Sequence, residues 1–236
     1  MTSAWAIKRF WTAANVVPTR DGFAIHLDDR PLRTPAKAAF FVPTRGLAAL
    51  IAAEWDAQID KVDPRTMPAT RTANSAIDKV IPQKAEVAAM LAAYGGSDLL
   101  CYRADKPASL TERQAQRWDP LLDWAEQRFG ARLATGPGVV PVAQDPVALA
   151  LLTAEVDRQD AFQLAAFHDL VALSGSLVLA LAVTDDRLSA EKAWALSRID
   201  EDWQAEHWGK DDDATAMATI KHAAFLDAVR FHALTS

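Results

Sequence analysis

The chain has 236 residues, half of them hydrophobic and about a quarter charged, with a formal net charge of −6. This is an ordinary globular profile, long enough for one large domain or two modest ones. The acidic balance and the absence of a dense Lys/Arg run argue against nucleic acid or an anionic membrane as a partner, and the single cysteine, Cys101, excludes an internal disulfide.

Cys101, between Leu100 and Tyr102, reads as a small buried hydrophobe and fits a reducing compartment. Met1–Ile7 is too short for a secretory apolar region and runs directly into Lys8-Arg9-Phe10-Trp11.

Phe10–Val42 reads as a β-meander. Val16-Val17 leads into a Pro18–Gly22 turn, and Phe23, Ile25 and Leu27 then alternate with Ala24 and His26, the period of a half-buried strand. Asp28-Asp29 is a tight turn, and Phe40–Val42 offers one more short strand. His26 falls on the polar side and has no metal-ligating neighbours, so it belongs to the surface.

Thr44–Ile59 is the first expected helix, with Thr44 as its N-cap. Leu47, Ile51, Trp55 and Ile59 form an i, i+4 row on one face. The spacing puts Trp55 in the core, holding this helix to the sheet. Asp60–Ala69 reads as a loop, and Pro82 divides a helix over Asn74–Val80 from another over Gln83–Tyr94. The domains are drawn as a β-rich part over 1–82 and a helical part over 83–236, with Gly95-Gly96-Ser97 a flexible joint in that region.

Farther on, Thr111–Trp118 is one helix, and Asp119-Pro120 starts another that ends at Gly130. Ala131–Gln144 is extended. Asp145-Pro146 opens Val147–Arg158. Phe162–Val183 is apolar on every side with Asp169 its only charge, so it reads as one fully buried helix, started by Asp160 and closed at Thr184-Asp185-Asp186. Its uncharged run, Leu170–Val183, is shorter than the ~20 residues a bilayer core requires, so no membrane insertion is expected. Its small residues Ser174-Gly175-Ser176 would suit close approach of another helix. Ser189–Trp208, closed by Gly209, and a last helix over Asp213–His232 complete the chain.

The usual catalytic and cofactor signatures are absent. There is no GxGxxG or GxxxxGK[ST] phosphate cradle, and Ser174-Gly175-Ser176 is no nucleophile elbow. Glu206-His207 lacks the second histidine of a zinc helix, and Asp211–Asp213 lacks calcium-loop spacing. No cofactor, metal site or catalytic residue is expected.

The informative segment is Ser189–Gly209. On one continuous helix, Leu196, Ile199 and Trp203 face the core, while Ala190, Trp194, Ser197, Glu201, Gln204 and Trp208 form a row opposite. This row has two readings. It either packs on another helix, with Glu201 paired to an arginine, or it is a docking surface with tryptophan anchors around one acceptor. A small-molecule enzyme with Glu201 as general acid or base in a Trp-lined pocket is the alternative from another class, and a purely structural helical adaptor is the third. A deep cavity with a second titratable group would favour the enzyme, a shallow open patch the docking surface.

Short stretches along the whole chain carry a family likeness. They are Arg9-Phe10-Trp11, Leu27–Pro35, Val42-Pro43-Thr44, Glu54-Trp55-Asp56 with Gln58, and Thr66-Met67-Pro68. Asp98–Arg103, Trp118-Asp119-Pro120 with Trp124-Ala125, and Leu196-Ser197-Arg198 through Glu201, Gln204 and Trp208-Gly209 continue the series in the second half. In this order they resemble the assembly chaperones that hold the free α subunit of the F₁ head of ATP synthase (the "Atp-twelve" type). One departure is Asp200-Glu201-Asp202, where the family commonly has a Glu-rich run and only Glu201 keeps the glutamate.

The order of elements predicts an α+β fold, a small N-terminal β-containing domain followed by a larger all-α one. The resemblance adds the function. It implies a non-enzymatic, ATP-independent chaperone whose partner is the free α subunit, and the row on Ser189–Gly209 offers Glu201, Trp194, Ser197, Gln204 and Trp208 as the partner-binding residues. The start of the chain almost at the first motif fits a bacterial member working in the cytoplasm, since mitochondrial members carry a presequence.

Overall fold

A computed structural model describes residues 8–236; the expectation for Met1–Ile7 lies outside them. The chain is an α+β protein that divides into two compact units. The first is the chain up to Lys84 with Asp160–Ala166 and Arg230–Ser236, and the second is Ala85–Gln159 with Phe167–Val229.

In the first unit, β1 (Ala14–Thr19), β2 (Gly22–Leu27) and β3 (Arg30–Pro31) form an antiparallel sheet in that order. The expected alternation puts Ile25 and Leu27 inside with Phe40 and Val42. The helix α1 (Arg45–Asp56) packs on β1 and β2, and its Thr44 hydroxyl accepts from the Leu47 N–H as an N-cap. Leu47, Ile51 and Trp55 are buried, and Trp55 meets Trp11 edge-on at 5.3 Å. Ile59, expected in the same row, is 82% exposed because α1 ends at Asp56 and the next turn swings it away from the core.

Polar side chains near the end of α1 shape the turn beyond it and the start of the next helix. The Glu54 carboxylate accepts from the Ala69 N–H at 2.7 Å, the Thr70 N–H at 2.8 Å and the Thr70 hydroxyl at 2.6 Å. It thereby caps α2 (Pro68–Ser75), whose own N-cap residue, Met67, offers no side-chain acceptor. The expected loop thus turns helical from Pro68. Buried Gln58 donates to the Glu54 carbonyl and the Thr66 hydroxyl and accepts from the Asp63 N–H, so it sets the intervening turn. Asp56 accepts from the Ala14 N–H at 2.8 Å, and the Arg9 guanidinium donates to the carbonyls of Asp56 and Thr12. These motif residues hold the fold.

Helical turns run on from α2 through a wide π-turn over Ala76–Val80 and a short tight turn at Ile81–Gln83 into α3 (Lys84–Ala92). Pro82 therefore does not separate two helices: the π-turn makes an i→i−5 bond from Ile81 to Ala76 just before it. Gly95, read as part of a flexible joint, is buried, and a Cβ there would stand 3.1 Å from Leu149 Cδ2.

In the second unit, α4 (Ala108–Phe129) is continuous through Pro120, which lies on the exposed side. Trp118, Leu121 and Leu122 beside it are buried, and that packing offsets the one backbone bond Pro120 cannot make. Asp119 caps nothing. It pairs with Arg103 at 2.7 Å, and the Arg103 guanidinium lies over the Trp118 ring. Gly130, at φ +72°, ends the helix as expected. Two short strands, β4 (Tyr102–Arg103) and β5 (Gly136–Pro137), pair in parallel, and α5 (Pro146–Asp157) starts on an Asp145 cap.

The apolar stretch is two helices, α6 (Ala161–Ser174) and α7 (Leu177–Thr184). Gly175 breaks it at φ +70°, a conformation other residues enter at a cost. The small residues serve the break rather than a helix crossing: the Ser176 hydroxyl accepts from the Leu179 N–H, and the Gly175 carbonyl accepts from the Leu99 N–H. Asp98, fully buried, accepts from the Leu100 N–H at 2.9 Å and the Val178 N–H at 3.0 Å, so it ties its own turn to the start of α7. Burial pushes the Asp98 carboxyl above its ordinary pKa although these donors work against the rise. Leu177–Val183 is buried on every side, with α4 and α8 (Ala190–Ser197) against α7. Cys101 is buried as expected, and its thiol is pushed up to about 12, chiefly by burial.

Candidate functional site

The expected single helix over Ser189–Trp208 is two, α8 and α9 (Ile199–Trp208), parted at Arg198 with φ −111° and ψ 10°. The Ser197 hydroxyl donates to the Trp194 carbonyl at 2.7 Å and tightens the end of α8. Asp200, Glu201 and Asp202 then fall in the first turn of α9, where the helix dipole favours acids. Gly209, at φ +91°, ends it.

The break undoes the single row. Trp194 and Ser197 turn inward, at 9% and 7% exposure. Trp194 stacks on His222 at 5.3 Å and meets Phe225 at 5.9 Å, both on α10 (Asp212–Ala233). Ile199 and Trp203 are buried as expected, while Leu196 is only half-buried. Glu201, Gln204 and Trp208 face solvent, and Trp208 is 76% exposed, edge-on to Trp203 at 5.8 Å.

Four of the five expected residues nevertheless border one hollow. Trp194, Glu201, Gln204 and Trp208, with Ala214 and Ala218 of α10, line a depression of about 520 Å³. Sequence reasoning missed Arg198. Its Nη1 donates to Glu201 Oε1 at 2.6 Å, and its guanidinium lies 5.9 Å from the centre of the Trp194 ring. The arginine sits three residues before Glu201, a spacing legible in the sequence once a helix is allowed to restart between them. The bland reading of Glu201 therefore holds to this extent, that an arginine does pair with it. The pair is exposed enough to leave half the Glu201 side chain to solvent.

The hollow is partly open to solvent. The charged groups on its edge, Arg198, Asp202, Lys210 and Asp211, stand at the surface or half in it. Among the described residues no group of His, Cys, Asp and Glu could hold a metal ion, and no helix is long and apolar enough to cross a membrane. The rim of the hollow thus brings together an exposed tryptophan, Trp208, and a half-exposed carboxylate, Glu201.

The comparisons with known proteins give the family. The model of the ATP12 chaperone protein family matches residues 8–126. The mitochondrial protein atp12 of Schizosaccharomyces pombe is 27% identical over 221 residues, covering 89% of this chain and 76% of its own. The crystal structure of Atp12 from Paracoccus denitrificans is 53% identical with a TM-score of 0.94, covering 97% of this chain and 98% of that one. The Atu1473 protein of Agrobacterium tumefaciens is 41% identical with a TM-score of 0.88, covering 94% of this chain and 85% of that one. The chain belongs to the ATP12 chaperone family. It is a chaperone of ATP synthase assembly and not an enzyme.

Proposed function

We propose that this chaperone binds the free α subunit of the F₁ head of ATP synthase and keeps it from aggregating until the hexamer assembles, without using ATP. The identity of 53% to the Paracoccus protein supports a bacterial setting for this step, and with it the cytoplasm. Subunits of a ring expose large apolar contact surfaces before they assemble, and such patches aggregate. A partner that covers one keeps the subunit available and then leaves.

The observation that carries the reading is Trp208, 76% exposed beside Glu201 on the rim of an open hollow. An exposed indole of this kind gains a few kcal/mol when a partner covers it, and a neighbouring carboxylate selects the partner by a charge-assisted hydrogen bond. In this reading Glu201, Gln204 and Trp208 touch the subunit. Trp194 is the floor beneath them, and Ser197 shapes the turn that aims α9.

The test is co-purification of the full chain with the free α subunit. The subunit is expected to be retained by the wild type and lost with Trp208→Ala. A wild-type chain that retains none of it overturns the reading.

A further inference from the structure

The neighbouring flank of α8 and α9, which meets the hollow at Ala195 and Asp202, forms a second groove, of about 850 Å³, with α4 as its other wall. The α4 positions that line it recur at Ser109, Arg113, Gln116, Pro120 and Leu121, one helical face. The twelve steps from Ser109 to Leu121, at a rise of about 1.5 Å each, make this wall roughly 18 Å long.

The two walls run antiparallel. Arg113 holds Glu206 through two hydrogen bonds at 3.0 and 2.8 Å, Gln114 donates to Asp200 at 2.6 Å, and the Trp118 indole donates to the Leu196 carbonyl at 2.9 Å. The floor is apolar, formed by Leu121, Leu188, Leu196 and Ile199.

The ends of the groove differ in charge. Glu112, Asp202 and the neutralised Arg113–Glu206 pair stand at one end. Arg117, Arg187 and Lys192 stand at the other, all exposed and none in an ion pair among the described residues. Other arginines of the same unit do find carboxylates: Arg128 pairs with Asp185, Arg132 with Asp123 and Arg158 with Glu155. Three unpaired cations at one end of an apolar groove therefore stand out in a chain of net charge −6.

We propose that this groove receives an amphipathic helical segment of the client subunit, with acidic residues of that segment over Arg117, Arg187 and Lys192. The apolar face of the segment covers the leucine and isoleucine floor, as in helix-in-groove recognition. Three cations facing two free carboxylates are too few and too mixed for a nucleic-acid backbone, which needs a continuous positive track. For a short helix they suffice, and they also fix its direction, because an acidic end placed over Glu112 and Asp202 meets like charge. The client is then held on two adjacent faces of α8 and α9. The proposal rests on the reading that the protein holds the free α subunit.

The experiment compares the full chain with Arg117→Ala/Arg187→Ala/Lys192→Ala and with Arg117→Glu/Arg187→Glu/Lys192→Glu, measuring the dissociation constant for the free α subunit at low and at physiological salt. All three side chains are exposed, so melting temperatures should stay close to wild type. The alanine variant is expected to bind roughly tenfold more weakly, the charge-reversed variant roughly a hundredfold or more, and both with a shallower salt dependence. Wild-type affinity in the charge-reversed variant, with the wild type itself binding, overturns the groove and leaves the function standing. Absence of binding by the wild type overturns both.

Discussion

Replacing Glu201 by lysine separates docking from folding, because the two roles differ in size. Glu201 keeps 47% of its side chain exposed and is bonded by Arg198 at 2.6 Å, three residues earlier. An exposed pair of this spacing contributes about 0–1 kcal/mol. The lysine adds repulsion from Arg198 and places a cation in the first turn of α9, about 0.3–1 kcal/mol more. The folded state therefore loses about 0.3–2 kcal/mol, and at ~2–4 °C per kcal/mol for a chain of this length the melting temperature falls by less than about 8 °C. At a contact from which the partner has driven the water, the same reversal costs about 2–5 kcal/mol, or roughly 30- to 5,000-fold in the dissociation constant. Glu201→Gln keeps an acceptor and loses the charge, so it should fall between. Calorimetric melting of both variants, beside a pull-down and an aggregation assay with the α subunit, gives the two numbers. A melting temperature lowered well beyond about 10 °C, or full retention of the subunit by the lysine variant, would refute the reasoning.

Trp55→Arg should lose several kcal/mol and melt far below wild type, since Trp55 is 8% exposed against Trp11 and a charge there has no partner; an unchanged melting curve would remove Trp55 from the core. Asp98 gives a pH signature. Its folded pKa lies above the unfolded value of about 3.9, so the unfolded chain ionises first, and stability falls as pH rises through the window between the two values before levelling off. Asp98→Asn does not titrate, so denaturant unfolding from pH 4 to 7 should show wild type losing stability relative to the variant, and a parallel pair of curves would contradict the assignment. The pure protein should suppress aggregation of the α subunit with no nucleotide added and should not turn over ATP; a strict nucleotide requirement in a light-scattering assay would count against an ATP-independent holder.

The sequence by itself determined the class of the fold and most element starts. Alternation over Phe23–Leu27 and the i, i+4 row of Leu47, Ile51 and Trp55 are local patterns, and each resolves which face is buried. Thr44, Asp145 and Asp160 cap the helices they precede because a cap needs only its own residue and the next three. Glu201, Gln204 and Trp208 were legible as a surface because they lie in a short span of α9, beyond the break at Arg198 and undisturbed by it. The family likeness rests on sequence too.

The tertiary structure decided what depends on residues far apart in the chain. Whether Pro120 breaks a helix was set by the burial of Trp118, Leu121 and Leu122 around it. The split of Phe162–Val183 at Gly175 is held in place by Asp98, far earlier in the chain, which supplies a further acceptor for the second helix start at Val178. The inward turn of Trp194 was invisible for the same reason. Its stacking partner, His222, belongs to another helix, and a helical projection of one segment assumes that the segment is straight and alone. A periodicity reports which residues share a face, but only the neighbouring helix decides whether that face is covered.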